Sequence, residues 1–68
     1  MNRRQLGIAV IGSGRIGTLR AIMAAGHPAV RFLAVTDRDP ARAQKLAERT
    51  GAQFHSSDNL AAISHPQV

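Results

Sequence analysis

Six residues near the amino terminus have the types and spacing for chemistry. Gly12-Ser13-Gly14-Arg15-Ile16-Gly17 follows the pattern G-x-G-x-x-G. The bare pattern is cheap, but here it follows the apolar, β-branched run Leu6-Gly7-Ile8-Ala9-Val10-Ile11 and opens a helical pattern. In that setting each glycine has a mechanical task. Gly12 allows a sharp turn from strand to helix, Gly14 lets the backbone approach a pyrophosphate, and Gly17 lets the helix pack close to the strand. The helix start then offers unpaired N–H groups and partial positive charge to phosphates. Arg15 and Ser13 are further candidates for phosphate contact, and Ile16 completes the loop. Asp37 lies 20 residues after Gly17, just past a second β-rich run. An acid there accepts the ribose hydroxyls of an adenosine and repels a 2′-phosphate, which favours NAD. Arg38 beside it has the reach to lie over the adenine or to meet a 2′-phosphate, so NADP stays open. The bland alternative is a tight βα turn with Asp37 closing a turn of its own.

The elements that must position these residues are legible in the pattern. Leu6 to Ile11 reads as a strand buried on both faces, as in a parallel sheet. From Arg15 to Ala25 the period turns helical, with Ile16, Leu19, Ile22 and Met23 recurring and Gly26 as the stop. Met23 reads as core filling. Val30 to Thr36 is the second strand. Asp39 is an N-cap and Pro40 suits the first helical position. Ala43, Leu46, Ala47 and Thr50 then form an apolar face, opposite Arg42, Lys45, Glu48 and Arg49, and Gly51 ends that helix. Ala52-Gln53-Phe54-His55 reads as a short third strand. Ser56-Ser57-Asp58 offers caps for a short helix from Asn59 to Ile63. His65-Pro66-Gln67-Val68 reads as a loop leading toward a further strand. The order βαβαβα is that of a doubly wound parallel sheet, an α/β fold.

Composition narrows the alternatives. The chain has 68 residues, a formal charge of +5, 44% hydrophobic residues and no cysteine. That length allows at most one small domain. Without cysteine there are no disulfides, thiolate metal sites or thiol nucleophiles. The apolar content argues against disorder, and no run approaches the ~18 residues of a membrane span. No signal-peptide core follows the polar start, so the expectation is a cytoplasmic protein with no membrane partner. Eight of the nine basic residues are arginines, spread from Arg3 to Arg49, and only Phe32 and Phe54 are aromatic. Nucleic-acid binding needs a clustered basic face or stacking platforms, and neither is present. His27, His55 and His65 lack carboxylate partners at a spacing that suggests general-base work. They read as loop and strand-end residues, with no metal site expected.

Three stretches carry a resemblance to a known family: Ile8 to Gly17, Leu33-Ala34-Val35-Thr36-Asp37-Arg38-Asp39-Pro40, and Ala41 to Gly51. They resemble the opening of the Gfo/Idh/MocA oxidoreductases, named for glucose–fructose oxidoreductase and inositol 2-dehydrogenase. Gly-Arg-Ile-Gly and Asp-x-x-Pro are the more specific features, and Ser57 to Val68 resembles the family's third helix and the approach to its fourth strand. The resemblance implies a Rossmann NAD(P)-binding domain followed by a substrate domain. Residues 1–68 would be the first part of that dinucleotide-binding domain, with the catalytic and substrate domain outside them. It also implies a homo-oligomer for the full-length enzyme. The family's catalytic lysine sits in a Glu-Lys-Pro motif. Lys45, the single lysine here, is followed by leucine and does not match, so no catalytic residue is assigned. Arg20 stands where members often carry a histidine.

The leading expectation is therefore the nicotinamide-dinucleotide-binding segment of an oxidoreductase. Its parent enzyme would move hydride between NAD(P) and a sugar, polyol or related alcohol, and the 68 residues alone would not turn over. The alternatives are a non-catalytic NAD(P)-binding or sensing module, and a structural fragment too incomplete to fold or bind. In that last reading three strands leave Leu6 to Ile11 short of cover on one side.

Overall fold

The structure, a computed structural model, describes residues 6–12 and 14–68. Six elements alternate along the chain: β1 (Leu6–Ile11), α1 (Arg15–Ala25), β2 (Val30–Thr36), α2 (Pro40–Thr50), β3 (Phe54–Ser56) and α3 (Asn59–Ile63). The strands form one sheet in the order β1-β2-β3, with both pairings parallel. The ladder runs from Gly7 against Phe32 to Ile11 against Thr36, and from Ala34 against Phe54 to Thr36 against Ser56. All three strands therefore end on the same side, where the glycine turn begins.

Alternation along the strands divides the core in two. Ile8 and Val10 of β1 join Leu33 and Val35 of β2 under α1 and α2, where Ala21, Leu46 and Ala47 complete the cluster. Ala9, Phe32 and Ala34 point the other way and meet Phe54 and Ala62 of α3. Helices thus cover both faces of a parallel sheet, as expected for a doubly wound α/β fold. The helix ends follow local chemistry. Asp39 caps α2 by accepting the Ala41 N–H at 2.9 Å, and Pro40 fills its first turn. Asp58 caps α3 through the Leu60 N–H at 3.0 Å.

Three expectations are corrected. First, β1 is not buried on both faces: Val10 is its one buried residue, while Leu6 and Ile11 are exposed. The reason is position, since β1 lies at the sheet edge and β2 takes the central, covered place. Second, the stripe Ile16, Leu19, Ile22 and Met23 faces outward, and Met23 is 72% exposed rather than core filling. The face of α1 turned to the sheet carries Gly17, Ala21 and Ala24, of which Ala21 is fully buried. Helix α1 is apolar on several sides, so periodicity selects no unique face; α2, with its charged side, has one and buries Ala43, Leu46 and Ala47 as expected. Third, β3 begins at Phe54 rather than Ala52. At Gln53 the side-chain Oε1 accepts the Leu33 N–H at 2.8 Å and the Gln53 N–H donates to the Leu33 carbonyl at 3.0 Å, which extends the pairing without a ladder residue.

The exposures of Leu33 and Met23 yield a direct test. Leu33→Ala empties a site 3% exposed in the covered cluster and is expected to cost about 2–5 kcal/mol. Met23→Ala is expected to stay within about 0.5 kcal/mol of the parent chain. Urea unfolding followed by circular dichroism reads both, and equal losses would refute the outward placement of Met23.

Candidate functional site

The candidate site is the turn between β1 and α1, and its shape follows from two glycines. Gly12 sits at φ +87°, a left-handed conformation that a side chain strains. Gly17 sits in the first turn of α1 against that same residue: a Cβ on Gly17 would run into the Gly12 carbonyl group. The helix therefore approaches the strand end as closely as backbone allows. Gly14 is the N-terminal boundary residue of α1, and a Cβ built there meets nothing within 4 Å. The first bond of the helix runs from the Thr18 N–H to the Gly14 carbonyl at 2.8 Å. The N–H groups of the turn before it have no partner in the helix ladder. Among the described residues no side chain caps α1, and its first turn carries no acid. The described residues place no acidic cap at the positive end of this helix, whereas Asp39 and Asp58 cap α2 and α3.

Two adjoining depressions share Ile11, Gly12 and Gly14. One is an open trough of about 890 Å³ along β1 and α1, with Arg15, Ile16, Gly17 and Arg20 on its wall. The other, about 520 Å³, runs toward α2 and α3 and is bounded by Asp37, Arg38, Asp39, Arg42 and Asn59. The first extends back along β1 past Val10 to Ile8, and the two meet as one groove at the glycine turn, at the carboxyl ends of β1 and β2.

The residues singled out in the sequence meet along this groove. Gly12, Gly14, Arg15, Ile16 and Gly17 line its first arm, and Asp37 and Arg38 its second. Asp37 is buried, at 9% exposure, directly past the end of β2. Its Oδ1 accepts the Asp39 N–H at 2.8 Å, so this carboxylate does close a turn of its own while bounding the groove. Arg15, Ile16 and Arg38 are exposed. Ser13, also named as a phosphate contact, lies outside the described residues. Lys45 lines a different depression with Thr18, Leu46 and Arg49. His27 is an exposed loop residue whose Nδ1 accepts the Ala29 N–H at 3.0 Å.

Arg20, Arg42 and Asn59 line the groove without having been site candidates in the sequence, and Thr36 lies buried behind it, bonded to Asn59. Arg20 and Arg42 were readable only as helix-surface charges. Thr36 and Asn59 carried no signal, because their relation is a contact across the fold. His65 is a loop residue, as expected. Its ring stacks on Phe32 at 4.5 Å between centroids and lies 4.9 Å from Phe54, which seats the carboxyl-terminal loop on the α3 face of the sheet.

Comparison with known proteins agrees with this geometry. The family model described as "Oxidoreductase family, NAD-binding Rossmann fold" matches residues 6–68. The chain belongs to the Gfo/Idh/MocA oxidoreductase family. No curated protein and no solved structure matches it. Membership in this NAD-binding family makes a nicotinamide dinucleotide the ligand class of the chain. Among the described residues, no helix is long and apolar enough to cross a membrane.

The two glycines with opposite surroundings separate packing from ligand space. Gly17→Ala forces α1 off the Gly12 carbonyl and is expected to cost about 1–3 kcal/mol. Gly14→Ala is expected to remain within about 0.5 kcal/mol of the parent chain, because open space receives the methyl group. Thermal melts of both variants check the pair; a Gly14→Ala chain as unstable as Gly17→Ala would contradict the open trough.

Proposed function

We propose that this chain binds NAD(H) across the glycine turn as the dinucleotide-holding part of an oxidoreductase that acts on a sugar, polyol or related alcohol. The observation that carries the reading is the uncapped, acid-free start of α1, facing a groove that runs on to the buried acid Asp37. The groove fits the ligand class. A pyrophosphate needs close backbone approach, free N–H donors and positive potential, and the turn from Gly12 to Gly17 supplies all three. Gly14 leaves room for the phosphates where a Cβ would occupy it, and Arg15 adds charge at their flank. Ser13 is the remaining phosphate contact of this reading.

Asp37 would accept the adenosine ribose hydroxyls, and its negative charge would oppose a 2′-phosphate. That supports NAD over NADP. Arg38 and Arg42 border the same arm and set the limit of that preference, since either guanidinium attracts a phosphate placed there. When bound, the nicotinamide supplies the hydride chemistry. The part of these residues is to hold and orient the dinucleotide. The proton of an alcohol needs a separate acid–base group, and Lys45 stands in another depression. Binding without turnover is therefore the expected behaviour of the 68 residues by themselves.

Titration with NADH and NADPH, read by nicotinamide fluorescence, tests the assignment. The parent chain is expected to take NADH more tightly than NADPH. Asp37→Ala, which removes an ionised acceptor, is expected to weaken NADH by about ten- to a hundredfold and to leave NADPH unchanged or tighter. Gly14→Ala is expected to lose NADH binding at an unchanged melting temperature. Equal affinity of the parent and Asp37→Ala chains for NADH would remove Asp37 from the site.

A further inference from the structure

Thr36 and Asn59 belong to no motif, yet they join three elements at the groove. The Thr36 side chain is fully buried at the end of β2. Its Oγ1 accepts the Gly12 N–H at 3.2 Å and donates onward to Oδ1 of Asn59 at 2.8 Å. The side chain thus takes up a backbone donor just past Ile11, the last ladder residue of β1. Asn59 opens α3 and lines the same arm of the groove as Gly12, Gly14 and Asp37.

The direction of this relay follows from donor counting. The Gly12 N–H can only donate, so it occupies a lone pair of the hydroxyl. The hydroxyl proton then needs an acceptor, and a buried hydroxyl left without one is costly. Asn59 therefore turns its oxygen toward Thr36, and its amide nitrogen is the end left for the groove that Asn59 lines. One chain of bonds thus fixes both the first peptide of the glycine turn and the orientation of a carboxamide that lies 23 positions beyond Thr36.

We infer that Asn59 is a ligand-contacting residue of the dinucleotide site, donating its amide N–H groups to the adenosine side of the ligand, and that Thr36 is the positioning residue that orients both Asn59 and the Gly12 peptide. This rests on the dinucleotide reading above and adds to it two residues outside the glycine motif. Other sources of hydrogen bonding in that arm are the charged groups Asp37, Asp39, Arg38 and Arg42, of which Asp39 is engaged in capping α2 and lies 4.0 Å from Arg42. Asn59 is the neutral donor among them, suited to ring nitrogens or hydroxyls at any ionic strength.

Two measurements on the 68-residue chain test the inference. Amide hydrogen exchange at Gly12 reads the relay without any ligand. The Gly12 N–H is expected to be protected in the parent and in Thr36→Ser, and to exchange about tenfold faster in Thr36→Val, which keeps the shape but loses the hydroxyl. Titration with NADH reads the contact. Asn59→Ala takes the acceptor from the buried Thr36 hydroxyl, so it is expected to melt at a lower temperature while remaining folded, and to bind about five- to tenfold more weakly. Thr36→Val is expected to lose a similar factor, and Thr36→Ser to restore it. Unchanged Gly12 exchange in Thr36→Val overturns the relay. NADH affinity of Asn59→Ala within twofold of the parent overturns the ligand contact. Should the parent chain take up no NADH at all, the dinucleotide reading falls together with the Asn59 contact, and Gly12 exchange still decides the relay.

Discussion

The close approach of α1 to the end of β1 is the constraint on which the rest of the structure depends. It is made where Gly17 rests against the Gly12 carbonyl, a contact that leaves no room for a Cβ. Because the helix comes so near, the residues it turns to the sheet are small: Gly17, Ala21 and Ala24. Larger side chains there would hold the helix away and open the turn. The same approach aims the helix start at the carboxyl ends of the strands, where a parallel sheet gathers its ligands. Packing and the proposed binding therefore share one arrangement at this point: the glycine contact that seats the helix also aims its start at the groove.

The sheet supplies the frame for that arrangement. Central β2 is buried from Phe32 to Thr36 and carries core residues alternately toward α1 and α2 and toward α3. At its end the alternation places Thr36 on the α3 face and puts Asp37 at the lip of the groove. The turn residues of β1, the terminal residues of β2 and the start of α3 then meet in one place. Three elements separated in the chain, β1, β2 and α3, thus meet at one candidate site, joined by side-chain bonds as well as by the pairing of β1 with β2.

Legibility varied with how local each feature was. Asp39 with Pro40, Asp58 and Gly51 announced their helix ends because capping is decided within four residues. The charged side of α2 marked its buried face unambiguously. On α1 the apolar residues on several sides offer more than one stripe, and Met23, expected in the core, faces outward. The true criterion was the distance at which the helix meets the sheet, which no periodicity carries. The apolar run of β1 suggested burial on both faces, while the count of three strands pointed to the side left short of cover. Gln53 substituting for a ladder residue, and His65 stacking on Phe32, depend on partners 20 or more positions away.

What the sequence determined by itself was the order of elements, the glycine turn, the acid that follows β2, and through them the family. These depend on backbone conformation and short spacings, which neighbouring residues set. What only the tertiary structure decided was which face of α1 is inside, which strand is covered, and that Thr36 and Asn59 stand at the groove. Those outcomes follow from packing distances and hydrogen bonds between segments far apart in the chain, and such contacts exist only once the sheet has formed.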